Sequence, residues 1–188
     1  LGLSRVSFEN DMPLPPSTRP GDYTTELLNL LPISTRLDPE NSQDETNLES
    51  SLSQTLDGPH TQPPSVMAQC NLVLCILRRL HTRNLNISSA LVDRVLALLK
   101  KGLECARTLI MEICPWHHVA NVPFHIICVL LVMDTRSSLE LLPDAMQTLK
   151  LVASTYDTET MREAWNAACL LVMLHQQRRK DDINILNE

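Results

Sequence analysis

Glycine is scarce in this sequence, with four among 188 residues, and the motifs that depend on it are missing. There is no glycine-rich loop to cradle a phosphate and no G-x-S-x-G turn to present a nucleophile. No H-E-x-x-H helix offers to hold a catalytic zinc. No apolar run is long enough to cross a bilayer: the most apolar stretch, Val119–Met133, is short and holds Asn121, Pro123 and His125. The first residues do not read as a secretory leader, so none is expected here. The six cysteines (Cys70, Cys75, Cys105, Cys114, Cys128 and Cys169) stand singly inside apolar stretches, not at the spacings of a disulfide framework. Free thiols of this kind imply a reducing compartment, the cytosol or the nucleus.

A surplus of positive charge is missing too. Residues 1–65 carry ten acidic side chains against three arginines, a balance of −7, and residues 66–188 carry twelve acidic against thirteen basic, a balance of +1. The second region therefore has no basic face to gather phosphates, which disfavours direct nucleic-acid binding by it. Nine of the 12 prolines also precede Val66. An acidic, proline-rich segment with few long apolar runs buries too little surface to offset its ordering entropy. Residues 1–65 are expected to be an extended, largely disordered lead-in and linker. Met12–Pro16 cannot be helical, Thr25–Leu31 spells an amphipathic turn or two, and Pro32–Ser65 reads as linker with a weak helix at most over Thr46–Leu56.

What is present in quantity is helical periodicity. The spacing predicts a first helix over Val66–Arg83, carrying Met67, Cys70, Leu74, Leu77 and Leu80 on one side, with Leu72–Leu77 apolar nearly all round. After a turn at Asn84–Ser89, capped by Ser88 or Ser89, a second helix runs over Ala90–Ile113. Its stripe is Leu91, Val95, Leu99, Ala106, Ile110 and Ile113, with Gly102 on it as either a close approach or a break. A third helix is expected from Val122 to Met133, with Pro123 at its first position. A fourth follows a Ser137–Glu140 capping box and carries Leu139, Leu142, Met146, Leu149, Ala153 and Tyr156, with Pro143 splitting off its first turn. The last runs from Thr158 to about Arg179, burying Met161, Trp165, Ala168, Val172 and His175, with Arg178–Lys180 at the negative end of its dipole. The expected fold is all-α: an irregular antiparallel array of about five to six helices.

One constellation invites chemistry. Cys114, His117, His125 and Cys128 form two Cys/His pairs with two residues between the members of each, a set able in principle to close a tetrahedral zinc site. His125 and Cys128, however, project from an apolar helix, where core histidines and thiols are commoner. As a Cys/His nucleophile pair the set has neither an orienting third group nor an oxyanion site. No catalytic residue, resident metal or cofactor is therefore expected in this chain, and it is read as a non-enzyme.

The phrase Val122-Pro-Phe-His-Ile-Ile-Cys-Val-Leu-Leu-Val-Met-Asp-Thr135, followed by Ala145-Met-Gln-Thr-Leu149 and Arg162-Glu-Ala164, resembles the fungal-specific transcription factor domain. That domain is the middle homology region of fungal binuclear zinc-cluster regulators. Asp11-Met-Pro-Leu-Pro15 is similar to a D-x-P-L-P stretch found in many members. The resemblance implies a nuclear regulatory domain, here its C-terminal part, acting through intramolecular, dimer or effector contacts. Its partners would be the missing N-terminal part of the same protein or a second copy, a small-molecule effector, or the transcription machinery. Zinc would sit only in a DNA-binding module outside this chain, because the scattered cysteines here lack C-x2-C-x6-C spacing. It also implies that some helix here lacks its packing partner and leaves an apolar patch exposed. The other reading of an all-α chain without a site is a scaffold or adaptor unrelated to transcription.

If Cys114, His125 and Cys128 are core residues, the purified chain carries no stoichiometric zinc by elemental analysis. A zinc that co-purifies with the chain and is lost in Cys114→Ala and His125→Ala would overturn that reading.

Overall fold

A computed structural model describes residues 23–37, 48–85, 87–114 and 117–186. These residues form eight helices and no strand: α1 (Thr24–Leu28), α2 (Leu31–Arg36), α3 (Leu48–Asp57), α4 (Pro63–Thr82), α5 (Ser89–Met111), α6 (His117–Met133), α7 (Arg136–Tyr156) and α8 (Glu159–Leu186). The all-α expectation is met. The five long helices, α4–α8, are the five that periodicity marks out.

The core is one cluster built around α4 and α6. Val66, Met67, Cys70, Val73, Leu74, Ile76, Leu77 and Leu80 of α4 are buried over a wide arc, which requires neighbours on several sides. Those neighbours are α3, α5 and α6. Val119, Val122, Ile126, Ile127 and Leu130 of α6 complete the centre, and α7 and α8 pack on the far side of α6. At Gly102 α5 passes close against α4. A Cβ there would stand 2.5 Å from the Cys70 Sγ, and α5 runs on through it unbroken. Close approach, not a break, is its role.

Scarcity of glycine shows in how the helices end. α4, α5, α6 and α7 are followed by Asn84, Ile113, Asp134 and Asp157, all with positive φ (53°, 52°, 48° and 25°), where glycine is the usual choice. At Asn84–Leu85 and Ile113–Cys114 the Schellman bonds are made: Leu85 N–H donates to the Leu80 carbonyl, and Cys114 N–H to that of Leu109, each at 2.9 Å. Ile113 is β-branched and 78% exposed, so it terminates α5 and does not extend its buried stripe as expected.

Several sequence expectations are corrected. The boundary drawn at residue 65 does not divide helix from linker. α3 packs on α4, with Leu48 and Leu52 in the core cluster and Ser51 and Thr55 buried beside them. α1 is fastened to the start of α4 by Glu26, which accepts from Thr61 N (3.1 Å), Thr61 Oγ1 (2.7 Å) and Ser65 Oγ. Burial opposes ionisation of Glu26, but these hydrogen bonds outweigh it and hold the carboxyl below its ordinary value. Of the lead-in, residues 1–22 and 38–47 lie outside the described residues.

The prolines were also misplaced. Pro123 is inside α6, which starts at His117, and Pro143 is inside a continuous α7. Each costs one ladder hydrogen bond, which the packing of these helices against the core offsets. The α7 cap is two residues earlier than expected: Thr135 is the N-cap and forms a reciprocal box with Ser138. α8 runs past Arg179 to Leu186, so Arg178–Lys180 lie within it and not at its dipole end.

Gly102→Ala is expected to destabilise the chain by about 1–3 kcal/mol in chemical denaturation, because the added methyl meets Cys70 in a filled core. Helix propensity alone would make the same change stabilising by about 1 kcal/mol. Adding Cys70→Ala, which moves volume from one helix to the other, should recover most of the loss.

Candidate regulatory surfaces

Among the described residues no three His, Cys, Asp or Glu side chains are grouped to hold a metal. Cys114, just beyond the end of α5, is half-buried, and its carbonyl accepts from Tyr156 Oη of α7 at 2.9 Å. The side chain of His117, at the start of α6, lies outside the described residues. His125 and Cys128 are brought together on α6, where both line a groove; Cys114 is not among its lining residues. Burial pushes the Cys128 thiol up, while the Arg78 guanidinium opposes this more weakly. A raised thiol is the less nucleophilic, protonated form at neutral pH.

The groove encloses about 530 Å³. Leu74, Leu77 and Leu80 of α4 form one wall, and Phe124, Cys128, Val129 and Val132 of α6 the other. Leu85, Ile87 and Val92 close the end nearest α5. Arg78 and His81 stand at its α4 edge, and the rings of Phe124 and His125 tilt at 53° with centroids 6.1 Å apart. A mostly apolar cleft of this size with a few polar groups at its edge is the usual form of a small-molecule site. Periodicity marks Leu74 and Leu77 as core; that they also line a groove shared with α6 has no signature in the spacing.

The second feature is a polar latch. Asp134, in the α6–α7 turn, lies 2.7 Å from His175 Nε2, and it accepts from Arg178 Nη2 (3.1 Å) and Arg179 Nη2 (2.8 Å). Arg179 also donates to the Asp134 carbonyl. The middle of α8 is thereby tied to the loop it crosses. Desolvation raises the Asp134 carboxyl, but the hydrogen bonds from His175 and Arg179 and the nearby guanidinium outweigh it, so its pKa lies below the ordinary 3.8. Since Met161 and Ala168 are the buried residues of α8, Asp134 takes over where apolar packing ends.

The third is the outer face of α8. Leu170, Met173 and Leu174 are 55%, 64% and 58% exposed. Among the described residues these three apolar side chains of α8 are left open to solvent.

The chain is similar along nearly its whole length to three fungal proteins. It is 48% identical to Protein RDR1 of Gibberella zeae over 181 residues, 96% of this chain and 33% of that protein. It is 36% identical to the transcription factor kojR of Aspergillus flavus over 187 residues, 100% of this chain and 34% of kojR. It is 25% identical to Protein RDR1 of Saccharomyces cerevisiae over 189 residues, 34% of that protein. The chain thus spans about a third of the length of the curated relatives it matches. No family model and no solved structure matches it.

Asp134→Asn should lower stability at neutral pH by about 1–2 kcal/mol, and hydrogen exchange should localise the loss to α8 from His175 onward. A carboxyl whose folded pKa is depressed contributes fully above its unfolded value and loses that contribution as pH falls through the folded one. The gap between wild type and variant should therefore be constant near neutrality and close below about pH 4. A gap that persists unchanged into strong acid would show that Asp134 acts only by shape.

Proposed function

We propose that this chain is a regulatory region of a fungal transcription regulator of the zinc-cluster class. On this reading it works in the nucleus by controlling transcription through packing contacts, not by touching DNA or by catalysis. The observation that carries the reading is the end-to-end similarity to the kojR transcription factor. The Val122–Thr135 phrase agrees with it, because its residues are those of α6 and the turn that follows, the centre of the fold.

The physical chemistry of the described surface supports it as well. The acidic net charge of −6 gives no long-range attraction for a polyanion. The groove beside His125 and Cys128 offers volume and apolar walls, not a nucleophile, a base and an oxyanion site in mutual reach. Such a cleft suits an apolar effector whose binding alters how α4 and α6 pack. Effector control would then be a bias on helix packing, communicated by the core that those two helices share.

Fused to a heterologous DNA-binding module in a fungal reporter strain, the chain should change reporter output several-fold relative to the module alone. Purified by itself, it should leave a DNA duplex unshifted at low salt. Reporter output equal to that of the module alone, with the fusion folded and present in the nucleus, would overturn the reading.

A further inference from the structure

α8 turns one face to the body and another to solvent. Met161, Trp165, Ala168 and His175 point inward, where they are buried or half-buried. On the opposite side lie Glu163, Asn166, Leu170, Met173, Gln177 and Lys180, separated by three, four, three, four and three residues. This is the heptad spacing by which one helix seats against another. All six are exposed or nearly so, and neither Glu163 nor Lys180 makes an ion pair among the described residues.

The order of these residues is self-complementary. Turned end for end about a point between Leu171 and Val172, the face matches itself layer by layer. Leu170 falls on Met173, Asn166 on Gln177, and Glu163 on Lys180, each pair equally far from the axis. Apolar layers thus meet at the centre, amides flank them, and opposite charges close both ends. A parallel pairing of the same faces would instead stack Glu163 on Glu163 and Lys180 on Lys180. Arg178 and Arg179, the neighbouring cations, are already engaged by Asp134 and do not compete.

We propose that α8 is a homodimerisation helix, pairing antiparallel with α8 of a second copy of this chain about a two-fold axis between Leu171 and Val172. The pattern specifies a second copy over other occupants because a two-fold contact requires a patch complementary to its own inverted image, and this patch is. With Leu174 beside only two apolar layers, the contact is short, so the dimer dissociates on dilution, with a Kd of about 10 µM. The proposal names a partner for the regulatory reading, but it stands on α8 alone.

Sedimentation of the full 188-residue chain tests it. Wild type should be dimeric at about 100 µM and monomeric near 1 µM or below. Glu163→Lys and Lys180→Glu, both on exposed positions and checked for helicity by circular dichroism, should each raise the Kd about tenfold or more. The double swap restores opposite charges at both ends and should return the Kd to within about threefold of wild type. A wild-type monomer at about 100 µM, single swaps without effect, or a double variant that stays monomeric would each overturn the proposal. A monomer that still alters the tethered reporter would sink the dimer and spare the regulatory reading. A charge-reversible dimer with an inert reporter would do the opposite.

Discussion

The burial of α4 is the constraint on which the rest of the structure depends. A helix with Val66, Val73, Ile76 and Met67 all at zero exposure cannot be satisfied by a single neighbour. It has to be enclosed, and α3, α5 and α6 enclose it. Once α5 is laid against α4, the contact distance is decided at Gly102, where the absence of a side chain makes room for the Cys70 thiol. α6 then supplies the second apolar column, and α7 and α8 cover the side of α6 that α4 does not reach.

That dependence explains what was legible in the sequence. Long helices with a continuous stripe could be read, because periodicity over twenty residues reports burial directly. α3 could not be read with the same assurance. Leu48 and Leu52 are only one turn apart, and a ten-residue helix is marginal on its own; its stability comes from docking on α4. The prolines of α6 and α7 misled for the same reason. Local rules forbid them inside a helix, and the packing of those helices outweighs the local rule. Polar anchors were hidden more completely. Glu26 finds Thr61 and Ser65, and Asp134 finds His175 and Arg179, across 35 to 45 residues of sequence. Nothing in local spacing announces such pairs.

The candidate site shows a related asymmetry. His125 and Cys128 drew attention as ligand types, and they do lie on a shared surface, but that surface is a groove with apolar walls. Environment acts on residue type here: burial raises the Cys128 thiol above its ordinary value, and the Arg78 guanidinium opposes this more weakly. The groove is lined by side chains of α4 and α6 together, a property of tertiary geometry that composition does not encode.

The most recognisable phrase in the chain, Val122–Thr135, places Val122, Pro123, Ile126, Ile127 and Leu130 in the interior, and this has a consequence for where function can reside. Residues that preserve a core preserve the relative positions of helices, and a regulator needs those positions to be few and distinct. Individual contacts with effectors or partners must then be carried by what the core leaves uncovered. Two such places stand out among the described residues: the groove lined by α4 and α6, and the face of α8 beyond the reach of Met161 and Ala168. Both border the same elements, because α8 is latched at Asp134 to the turn that ends α6, and α6 walls the groove. One helix thus joins the two surfaces: α6 walls the groove, and the turn that ends it holds the latch to α8.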